Sequence, residues 1–100
     1  MESLATLQKK LLMAGTQLDG IAVTIRFEDT LNGTTQRLMA VAVKCVHLSH
    51  DLMELPPKET LAILSAIKKE LPTPQDFSWL PKDKQRGVSN LLEVTTMLLD

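Results

Sequence analysis

Between Thr34 and Leu55 the chain reads TTQRLMAVAVKCVHLSHDLMEL, a stretch with neither glycine nor proline. Gly15, Gly20 and Gly33 precede it, and every proline (Pro56, Pro57, Pro72, Pro74 and Pro81) follows it. The residues that interrupt regular structure therefore frame one long element. Leu38, Val41, Ala42, Cys45, Leu48, Ser49 and Leu52 recur at three- and four-residue steps, which at about 100° per residue collects them on one side of a helix. A chain built around such a helix must supply other apolar helices to cover that side.

The rest of the sequence offers them. Ser3 is placed to cap a helix over Leu4–Ala14, with Leu4, Leu7, Leu11 and Ala14 in line and Gly15 as its stop. Leu55-Pro56-Pro57 ends the long element, because a residue before proline is steered away from helical geometry. Pro57 suits the first turn of the next helix, whose buried side is Thr60, Ile63, Leu64, Ile67 and Leu71. Pro72 stops that helix. A last helix runs from Pro81 or Lys82 to Leu99, with Val88, Leu91, Leu92, Thr95, Leu98 and Leu99 as its seam.

Residues 16–33 admit two readings. Ile21, Val23, Ile25 and Phe27 alternate with Ala22, Thr24, Arg26 and Glu28, the period of a β-strand, and Asn32-Gly33 would then close a hairpin. Alternatively Asp19 caps a helix over Gly20–Leu31 that Gly33 terminates. Such a helix carries one stripe of Leu18, Ile21, Ala22 and Ile25 and a second of Val23, Phe27 and Leu31, so it is apolar on two sides. A hairpin would have to take Leu38–Val43 out of the best helix in the chain, and isolated strands leave backbone groups unpaired. We therefore expect an all-α bundle of about five helices in one domain over residues 1–100, with segment 20–31 as a β-strand the alternative.

Composition agrees. Apolar residues make up 44% and charged ones 23%, but aromatics only 3%, which suits helix packing of aliphatic side chains better than a sheet sandwich. A net charge of −1, with 11 basic residues scattered from Lys9 to Arg86, lacks the concentrated positive surface that phosphate backbones require. The lone Cys45 points to a reducing compartment. The start, MESLATLQKK, has no basic segment followed by an apolar one, and no apolar run approaches the roughly 20 residues of a membrane span. The expectation is a complete, cytoplasmic chain.

Chemistry is sparsely signalled. His47, His50, Asp51 and Glu54 share an arc of a helix through i,i+3 and i,i+4 spacing, and imidazoles with carboxylates are competent zinc or iron ligands. The ordinary polar side of an amphipathic helix accounts for the same pattern. Cys45 and His47, two residues apart, point about 160° away from each other on a helix, so the imidazole does not activate the thiol. Walker A, dinucleotide, H-E-x-x-H, EF-hand and G-x-S-x-G patterns are all absent. No cofactor and no enzymatic activity are expected.

Lys82, Lys84 and Arg86 open the last helix with positive charge where negative charge is preferred, which makes them a candidate contact for phosphate or an acidic partner. Met53, Phe77, Trp79 and Met97 lie off the main seams or on a loop, where methionine and aromatic side chains make adaptable protein contacts. Leu12, Val43 and Val46 also lie off the seams, so the chain carries more apolar surface than one set of seams uses. The function these features support is a small protein-interaction module, an adaptor, chaperone-like subunit or inhibitor, that self-associates and docks a protein through Met53, Phe77, Trp79 and Met97. The alternatives are a metal- or ligand-binding oligomer using the His47 cluster and a DNA-binding regulator using Lys82, Lys84 and Arg86.

Overall fold

Ser3 does cap the first helix: its Oγ accepts a hydrogen bond from the Thr6 amide at 3.1 Å. In the computed structural model, which describes residues 3–29 and 33–100, the helix that begins there continues through Gly15 and Gly20 to end at Ile25. This α1, Leu4–Ile25, replaces two expected helices and rules out the strand reading of residues 21–25. Leu11, Ala14, Leu18, Ile21 and Ile25 step by three and four along it and are all buried. One seam thus crosses the point where Gly15 was expected to stop the helix, and burial of that seam outweighs the roughly 1 kcal/mol that each glycine costs.

The chain then turns, the Glu28 and Asp29 amides donating to the Ile25 carbonyl at 3.0 and 3.1 Å. Leu31 and Asn32, to which the sequence assigned part of a helix or a hairpin turn, lie outside the described residues. Gly33 does not terminate a helix. It precedes α2, Thr34–Asp51, with a left-handed φ of 66°. Glycine has no side chain to cap with, and Asp29 does so instead: its Oδ2 accepts the Thr35 amide at 2.6 Å. At its other end α2 stops at Asp51, short of the expected Leu55, because the chain turns over residues 52–54 before Pro56 forces extended backbone.

α1 and α2 form an antiparallel pair. Gln8 Nε2 donates to the Ser49 carbonyl at 3.1 Å near one end, and Gly15 lies against Ala42 and Val46 further along. α3, Pro57–Glu70, packs on α2, and Lys44 Nζ meets Glu70 Oε2 at 2.6 Å between them. Residues 71–81 cross to the far end of the bundle through a 3-10 turn, Pro74–Phe77. α4, Lys82–Leu99, starts beside the end of α1, where Lys84 pairs with Glu28, and packs along α1. The described residues hold these four helices, the 3-10 turn and no strand. The core is one continuous cluster. No described helix is long and apolar enough to cross a membrane.

Candidate interaction surface

The four residues expected to dock a partner do not form a patch. Phe77 is 1% exposed and belongs to the core, because the 3-10 turn drives its ring inward; it is unavailable to a partner. Trp79 is half-buried against the core, and its Nε1 donates to the Asp76 carbonyl at 2.7 Å. Both aromatics thus hold the connector down; burial corrects the assignment of Phe77 as a contact residue, while Trp79 keeps part of its surface in solvent. Met97 is 68% exposed in the last turns of α4, and from Lys82 to Met97 that helix extends about 22 Å away from Trp79. Met53, 79% exposed, sits just past α2 beside Leu4, Ala5 and Gln8 of α1.

The other expected constellations are also taken apart. His47 and His50 are exposed on α2, Asp51 is its last residue and Glu54 lies in the following turn, off the helix that was to align it. Among the described residues no three His, Cys, Asp or Glu side chains are grouped to hold a metal. Lys84 is half-buried in its ion pair with Glu28, so its charge is neutralised within the fold, and only Lys82 and Arg86 remain exposed. Cys45 is fully buried in the α1–α2 seam, and burial pushes its thiol from 9.0 up to about 11. A thiol held neutral in this way is no nucleophile near neutral pH.

What the structure does bring together is the outer face of the α1–α2 pair. Core residues occupy one side of each helix, α4 covers α1 from one flank and α3 covers α2 from the other. On the side left open, Leu12, Thr16, Asp19 and Val23 follow one another along α1 at steps of four, three and four. Met39, Val43, Val46 and His50 do the same along α2. Residues at that spacing share one face of a helix. Leu12, Val23, Met39 and Val43 are exposed, and Val43 keeps 51% of its surface in solvent.

Between the two rows runs a groove of about 360 Å³, floored by Gly15 and Ala42, with Asp19 toward one end and His47 toward the other. Small residues account for its depth. A Cβ on Gly15 would lie 3.2 Å from Val46 Cγ2 and 3.3 Å from the Ala42 carbonyl oxygen, so the helices approach each other more closely here than a side chain would readily allow. The sequence carried part of this signal: Leu12, Val43 and Val46 stand off the seams. Val23 and Phe27 form the second apolar stripe anticipated for this segment, and Phe27 is exposed just beyond α1. Met39 likewise stands off the main stripes, whereas the role of Gly15 was missed, since it cannot be read without knowing that the two helices pair.

Comparison of the chain with family models, with curated proteins and with solved structures finds no match.

Proposed function

We propose that this chain is a protein-interaction module whose working surface is the outer face of the α1–α2 pair, rather than the scattered positions Met53, Phe77, Trp79 and Met97. The observation that carries the reading is that four apolar side chains, Leu12, Val23, Met39 and Val43, are exposed along the two rows, which they share with Thr16, Asp19, the half-buried Val46 and His50, on the side of α1 and α2 away from the core. Leu12, Val23, Met39 and Val43 gain nothing for the isolated fold by being apolar there. Burial against a partner would return about 25 cal/mol for each Å² removed from water. The groove walls are helices, so little ordering of the backbone would oppose docking. The reading involves no catalysis, and the lone buried thiol supports a reducing compartment such as the cytoplasm.

The test is site-specific photo-crosslinking in the source cells. A photoreactive residue at position 43, in the middle of the face, is expected to give discrete adducts with protein, whether another chain or a second copy of this one. The same residue at Lys58, exposed on α3, serves as the control. Adducts equally abundant from both positions, or none from position 43, would remove the face from the proposal.

A further inference from the structure

We draw no further inference here: the strongest candidate, the groove on the outer face of the α1–α2 pair floored by Gly15 and Ala42, is the surface already proposed above, and nothing in the structure shows what covers it.

Discussion

Gly15 and Gly20 occupy the same helix five residues apart and should respond oppositely to the same substitution. Around Gly20 nothing lies within 4 Å of an added Cβ, so Gly20→Ala should simply recover helix propensity and raise stability by about 0.5–1 kcal/mol. At Gly15 the new methyl would press on the Ala42 carbonyl, fixed in α2, and on Val46, whose β-branch leaves one preferred rotamer in a helix. The helices must move apart by a few tenths of an ångström, loosening the contacts of Leu11, Leu18 and Cys45. Gly15→Ala should therefore lower stability by about 1 kcal/mol despite its better propensity. Urea unfolding midpoints of the two variants decide the matter. Equal stabilisation would show that the close approach of α1 and α2 has slack.

At the scale of elements, the ion pair between Glu28 and Lys84 joins the end of α1 to the start of α4, two points far apart in sequence. Both side chains are about one-third exposed, with relative accessibilities of 30% and 38%. Its contribution is therefore that of a partly shielded surface pair, about 1 kcal/mol. Lys84→Met should cost about that much, while Lys82→Met, two residues away and exposed, should change stability by less than about 0.5 kcal/mol. Equal effects in thermal unfolding would mean that the pair does not fasten α4. The sequence displayed Lys84 only as one of three basic residues, because the partner that neutralises it lies in another element.

The same division between local and distant information runs through the fold. The Ser3 cap, Pro57 at the first turn of α3 and the seams of α2 and α4 were legible, since each depends on residues within a turn or two of one another. The fusion of residues 4–25 into one helix was not, because Gly15 is a stop signal locally and a packing device only once α2 lies against it. Capping of α2 by Asp29 and the burial of Phe77 likewise depend on turns whose geometry periodicity does not encode. The proposed docking face was half legible for this reason. Apolar residues off the seams could be counted from the sequence, but which of them share a face required the pairing of the helices.

The molecule as a whole is unevenly held together, and the imbalance bears on how it works. α1 and α2 each bury seven residues along their length, whereas α3 fully buries only Thr60 and Ile67. α3 meets α4 only slightly, and it is fastened at its end by exposed ion pairs, Lys44 with Glu70 and Lys68 with Asp100 at 3.6 Å. Such pairs contribute little. α3 should therefore open without the rest of the bundle unfolding, as weakly packed segments do. Native-state hydrogen exchange should show α3 amides, including that of Ile67, exchanging through an opening at least about 2 kcal/mol below the global free energy, roughly 30-fold more often than those of Leu18 and Cys45. Ile67 protected as strongly as Leu18 would show instead that the four helices form one cooperative unit. If α3 opens alone, the groove stays intact while it does so, because both walls and the floor belong to α1 and α2. A binding surface on the most stable pair of helices keeps its shape before a partner arrives, and the ordering cost of docking is then confined to side chains such as Met39 and His47.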